Sequence, residues 1–117
     1  MNWENVCSIA DIVLDSGVAA LVDGRQIAIF RVSENNGEKF YAVSNFDPFS
    51  KANVISRGIV GSIGDATVVA SPIYKQHFRL EDGRCIEDET VTLGSWPVKV
   101  DNGRVMIGKA LSKGVAA

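Results

Sequence analysis

The 117 residues, 46% of them apolar, suffice for one domain with a real hydrophobic core. The 12 basic and 14 acidic residues are mixed along the chain for a net charge of -2, and no lysine or arginine run is present to neutralise phosphates, which argues against a nucleic-acid partner. No stretch approaches the length of a membrane span and the opening Met1-Asn2-Trp3-Glu4-Asn5 lacks a basic region followed by an apolar one, so the expected location is the cytoplasm, away from membranes.

Along the chain, the segment from Ile9 to Leu14 allows a single helical turn, but its β-branched residues and the early Gly17 argue against anything longer. Val18-Ala19-Ala20-Leu21-Val22 then leads into Asp23-Gly24, and Arg25-Gln26-Ile27-Ala28-Ile29-Phe30-Arg31-Val32 follows. Asp-Gly suits a type I′ turn, whose two central residues need positive φ, so a hairpin is predicted. Lys39-Phe40-Tyr41-Ala42-Val43 and Ala66-Thr67-Val68-Val69-Ala70 read as further strands, each followed by a proline-containing segment that cannot continue a central strand. His77-Phe78-Arg79-Leu80 and Arg84-Cys85-Ile86 flank Asp82-Gly83, and Val98-Lys99-Val100 and Arg104-Val105-Met106-Ile107 flank Asn102-Gly103, which predicts two more hairpins. Residues 110–117 lack periodicity and are expected to form a disordered tail after a domain of residues 1–109.

Short antiparallel strands with so little helix can bury their apolar faces only by packing sheet on sheet or by curling one sheet. The predicted fold class is therefore all-β, antiparallel sheets in a small sandwich or partly open barrel built of hairpins. Trp3, Phe30, Phe40, Phe78 and Trp96 are the expected core anchors, since aromatic side chains bury large areas.

The residues that could carry chemistry are few. Cys7 and Cys85 form no Cys-x-x-Cys pair, and His77 is the one histidine, so the usual thiolate and imidazole metal sites cannot be assembled. The two thiols could bridge in a secreted domain, although two reduced core cysteines suit a cytoplasmic protein better. His77 has no Gly-x-Ser-x-Gly elbow to serve, the run Glu87-Asp88-Glu89 lacks the alternating spacing of a calcium loop, and Gly58, Gly61 and Gly64 precede no helix that could bind phosphate. No catalytic residue is assigned.

The two proline loops carry a more specific signal. The first reads Ala42-Val43-Ser44-Asn45-Phe46-Asp47-Pro48-Phe49 and the second Ser71-Pro72-Ile73-Tyr74-Lys75-Gln76-His77-Phe78-Arg79-Leu80-Glu81-Asp82-Gly83. In their order among the strands they resemble the Cys-x-His and Cys-x-x-His loops of a Rieske (ISP-type) domain. Asn45 and Ser71 stand where that family has cysteines, and Asp47 and Tyr74 where it has histidines. A ligand-free domain of this kind is similar to the NirD-type small subunit of NAD(P)H-dependent nitrite reductase, as are Ala28-Ile29-Phe30-Arg31, Ile55-Ser56-Arg57-Gly58, Val69-Ala70-Ser71-Pro72 and the segment from Phe78 to Glu89.

This resemblance implies that the chain holds no cluster, since a Rieske centre needs two thiolates on one iron and two imidazoles on the other. It further implies a large partner subunit that carries FAD, siroheme and an iron-sulfur cluster and reduces nitrite to ammonium, with the present chain supporting it without catalysis. Phe46, Pro48, Phe49, Ile73 and Tyr74 would cluster at one tip, with Arg57 and Lys75 at its rim, either to pack the loops together in place of the cluster or to dock the partner. Two rival readings are an electron-transfer ferredoxin with iron on Cys7, Cys85 and His77, and a free-standing β module that binds a peptide.

Overall fold

The computed structural model describes residues 2–108, almost all of them in short antiparallel strands and turns. In chain order these are β1 (Glu4–Ser8), β2 (Ser16–Val22), β3 (Arg25–Glu34), β4 (Gly37–Ser44), β5 (Phe46–Asp47), β6 (Ala52–Asn53), β7 (Ile59–Ile63), β8 (Ala66–Ala70), β9 (His77–Arg79), β10 (Ser95–Trp96), β11 (Val98–Asp101) and β12 (Arg104–Ile107). Single turns of 3-10 helix at Ile9–Asp11 and Ile55–Arg57 interrupt them, the first capped by Ser8 and Asp11 in a reciprocal capping box. The expectation for residues 110–117 lies outside the described residues.

Turn chemistry writes most of the hairpins. Asp23 and Gly24 both have positive φ, 50° and 74°, as do Asn102 and Gly103 at 51° and 75°. Turns of this hand match the twist of the strands they join. Asn35 and Asn36 (49° and 64°) make the same turn between β3 and β4, and Gly64 (59°) opens the two-residue turn between β7 and β8. Neither of these hairpins was assigned from the sequence.

The Asp82-Gly83 turn departs from expectation. Of the two, Gly83 alone has positive φ, 80°, and the loop closes more widely, with the Arg79 amide donating to the Arg84 carbonyl. Its second limb makes only the isolated bridges Phe78–Cys85 and Arg84–Thr92. A Cβ on Gly83 would lie 2.2 Å from the Leu93 carbonyl oxygen, so close packing against Leu93, not a tight hairpin, fixes glycine here.

Three layers enclose two cores. The middle sheet has the order β10-β4-β3-β2, and sheets β1-β12-β11 and β7-β8-β9 lie on either side of it. Alternation along β3 explains its unbroken apolar run: Ala28, Phe30 and Val32 join Ile55, Val69 and Phe78 in one cluster, while Ile27 and Ile29 join Ile12, Val105 and Ile107 in the other. Of the expected anchors, Phe30 and Phe78 are fully buried, and Phe40 and Trp96 pack half-buried on the second cluster. Trp3 stands outside both clusters, with the Lys99 ammonium 4.6 Å from its ring centroid.

Candidate functional site

The loops that follow β4 and β8 meet at one tip, and three of the residues matched above to the family's ligands decide how. Asn45, Asp47 and Ser71 are all buried. The Ser71 hydroxyl donates to Asp47 Oδ2 at 2.6 Å, a direct link between the two loops. Asp47 Oδ1 accepts the Phe49 amide at 2.9 Å and the Ser50 amide at 3.4 Å, which folds the first loop back on itself. Asn45 ties the loop to its surroundings: its side-chain amide donates to Gln26 Oε1 at 3.1 Å, and its Oδ1 accepts the Ser56 amide at 2.7 Å.

Tyr74 behaves differently. It occupies the crest of a turn in which the Lys75 amide reaches back to the Ser71 carbonyl and Lys75 takes φ 67°, leaving the ring 60% exposed. The four positions thus offer an amide, a carboxyl, a hydroxyl and a phenol; the first three are engaged in the hydrogen bonds above, and the fourth points away from them into solvent. This donor set does not fit a two-iron centre that needs thiolates and imidazoles. Among the described residues no group of three or more His, Cys, Asp or Glu side chains gathers to hold a metal.

The tip's outer surface is apolar in part. Phe46 (40% exposed), Ile73 (45%) and Tyr74 face outward, with Lys75 exposed next to Tyr74; Arg57 is exposed too, at the end of the 3-10 turn that leads into β7. Pro48 is buried, and Phe49 turns inward with its ring centroid 6.2 Å from that of Phe78, so these two serve the core and hold the loop. Next to Phe46, Trp96 and Arg25 line a shallow hollow of about 270 Å³.

Away from the tip, His77 donates its backbone amide to Glu87 Oε1 at 2.8 Å and pairs its ring Nδ1 with Oε2 at 2.6 Å. Burial pushes the Glu87 carboxyl up, but the His77 amide and ring together outweigh it and hold the group below its ordinary value. Asp88 accepts bonds from the Thr90 hydroxyl and amide, so the acidic run folds a loop. Burial raises the thiol pKa of Cys85, the opposite of an activated nucleophile. Cys7 and Cys85 are free and belong to separate core clusters, so with His77 they cannot share one iron centre.

The polar bond between the loops was missed from the sequence, which assigned the task of holding them to apolar side chains. The signal was present: an acid and a hydroxyl placed on two positions that converge in the family pattern must either bond each other or strand buried polar groups.

Comparison with known proteins gives a consistent result. The profile of the Rieske-like [2Fe-2S] domain family matches residues 2–108. The chain is 43% identical over 105 residues to the NADH nitrite reductase small subunit of Salmonella typhimurium, covering 90% of this chain and 95% of that one. It is 42% identical over 106 residues to the NAD(P)H nitrite reductase large subunit of Klebsiella oxytoca, covering 91% of this chain but only 11% of that protein. Among solved structures, that of a nitrite reductase small subunit from Mycobacterium tuberculosis superposes with a TM-score of 0.84 at 41% identity, covering 95% and 96% of the two chains.

Proposed function

We propose, from the fact that the chain belongs to the Rieske-like [2Fe-2S] domain family, that it is a cluster-free small subunit of NAD(P)H-dependent nitrite reductase, acting in the cytoplasm by binding the large catalytic subunit. One observation carries the absence of a cluster. The positions matched to the family's ligands carry an amide, a carboxyl, a hydroxyl and a phenol in place of thiolates and imidazoles, and the Asp47 carboxyl and Ser71 hydroxyl bond each other. FAD, siroheme and an iron-sulfur cluster then belong to the partner, and so does every step from NAD(P)H to ammonium. This chain stabilises the partner's competent state through association alone. The Klebsiella relative supports the pairing, because there a segment similar to nearly the whole of this chain is part of the large subunit itself.

The docking surface in this reading is the tip, with Phe46, Ile73 and Tyr74 as apolar contacts and Lys75 at the rim. The test is nitrite-dependent NAD(P)H oxidation by the isolated large subunit, titrated with this chain. The chain is expected to raise the rate, and Phe46→Ser with Tyr74→Ser, at unchanged folding stability, to need roughly tenfold more protein for half the effect. A rate indifferent to the chain refutes the function, and an undiminished response to the variant refutes the tip. The purified chain, incubated with ferrous iron and sulfide, is expected to stay colourless; stoichiometric iron and acid-labile sulfide would refute the cluster-free assignment.

A further inference from the structure

One backbone edge is left uncovered, and its sequence is self-complementary. β7 pairs with β8 on one side, and among the described residues no strand or hydrogen bond covers its other side. In a two-residue hairpin the pair that flanks the turn, here Ile63 and Ala66, exchanges hydrogen bonds, and by alternation so do Gly61 with Val68 and Ile59 with Ala70. The N–H and C=O groups of Val60 and Ser62 therefore point outward. Natural edges of this kind are blunted by a charge, a proline or a bulge. Ile59-Val60-Gly61-Ser62-Ile63 has none, and it leaves Ile59 and Ile63 74% and 39% exposed.

Both edges of the β1-β12-β11 sheet, by contrast, carry charge: Glu4 on β1, and Lys99 and Asp101 on β11. The sheet face at the centre of β7 is open as well, since a Cβ on Gly61 would meet nothing within 4 Å. Glycine inside a strand weakens it, and one recurrent reason to find it there is the close approach of another backbone.

We propose that β7 is a self-association edge, at which two copies of the chain pair β7 to β7, antiparallel, about a two-fold axis at Gly61. The register follows from the outward groups. Val60 of one copy exchanges hydrogen bonds with Ser62 of the other, Gly61 faces Gly61, and Ile59 faces Ile63 at the close, non-hydrogen-bonded position where cross-strand side chains pack best. Arg57 and Asp65 are equally spaced on either side of Gly61 and make no ion pair among the described residues. Arg57 closes the 3-10 turn before β7 and Asp65 lies in the turn after it, so the two-fold sets each at the same end of the paired strands as its opposite charge in the second copy. An antiparallel copy supplies both complements at once, which an arbitrary strand does not, and this selects a second copy as the occupant. The inference goes beyond the proposed function, does not depend on it, and moves Arg57 from the rim of the tip to this edge.

A single-strand interface belongs to the small, weak class, so association is measured at high concentration. Sedimentation equilibrium of the full chain from about 10 µM to about 1 mM is expected to show a monomer–dimer equilibrium. Gly61→Asp sets two carboxylates against each other at the axis and is expected to weaken the dimer by about tenfold or more, with the urea unfolding midpoint reporting an intact monomer. Arg57→Asp is expected to weaken it, and Arg57→Asp with Asp65→Arg to restore it. A chain monomeric throughout the range, a dimer indifferent to Gly61→Asp, or a charge swap that restores nothing overturns the proposal. So does loss of large-subunit binding by Gly61→Asp in a chain that never dimerises, which would assign the edge to that partner and leave the tip reading to be judged by its own titration.

Discussion

Ser71→Ala is the sharpest probe of how this domain holds its two loops. The substitution removes one hydroxyl from a fully buried site and leaves Asp47 Oδ2 without its 2.6 Å donor, while Asp47 Oδ1 keeps the Phe49 and Ser50 amides. A buried acceptor deprived of its partner costs about 2 kcal/mol, and more where the acceptor is charged. With a urea m-value of about 1.5 kcal/mol/M for a domain of this size, the midpoint of unfolding is expected to fall by roughly 1 M. Asp47→Ala is expected to cost more, about 3 kcal/mol, because it frees both loop amides as well. The double variant is then expected to fall short of the sum by about 1 kcal/mol or more, since without Asp47 the Ser71 hydroxyl has lost its acceptor and keeps only the 3.4 Å bond from the Ile73 amide. Urea titration followed by tryptophan fluorescence measures all three. A midpoint drop below about 0.2 M for Ser71→Ala, or full additivity in the cycle, would show that the apolar contacts hold the loops and the polar link does not.

Gly83→Ala is expected to lose about 2–4 kcal/mol by the same titration, because the methyl group meets the Leu93 carbonyl at 2.2 Å and φ is 80°; Gly24→Ala, with open space around it, is expected to lose less. Acid is expected to destabilise the chain. The Ser33 amide and hydroxyl hold the Asp15 carboxyl below its ordinary value, and the Thr90 hydroxyl and amide do the same for Asp88. A carboxyl whose pKa is lower folded than unfolded adds stability above the unfolded value near about 4 and loses it as pH falls through the folded one. The melting temperature should therefore hold from about pH 7 to about pH 5 and decline below about pH 4, and Asp15→Asn with Asp88→Asn should flatten that decline. An equal slope in the variant would refute the assignment.

Two hairpins were legible because their punctuation is local: Asp23-Gly24 and Asn102-Gly103 each supply two residues that tolerate positive φ, and the turn follows from the dipeptide alone. Asn35-Asn36 supplies the same geometry without glycine, and so escaped a reading keyed to glycine. Asp82-Gly83 was misread for the opposite reason. Its glycine answers to the Leu93 backbone, a contact across ten residues of chain that no dipeptide encodes. The candidate positions were drawn from a family pattern, but the Asp47–Ser71 bond joins loops 24 residues apart and has no period for a pattern to catch. Trp3 shows the limit of composition, since a large aromatic near a chain end can lie over a lysine as easily as in a core.

The two arrangements among the relatives place different demands on the same tip. Where a segment similar to this chain is part of the large subunit, as in the Klebsiella protein, its local concentration is set by the connecting polypeptide, on the order of millimolar for a short linker, and a weak surface suffices. A separate chain has no such help and must supply its affinity through its own exposed groups. In the proposed docking, Phe46, Ile73 and Tyr74 are those exposed groups, while Pro48 is buried and Phe49 packs inward on Phe78 to stiffen the loop that presents them. Rigid presentation lowers the entropy lost on docking, and the buried Asp47, Ser71 and Asn45 supply that rigidity at the positions where a metal centre would otherwise cross-link the loops.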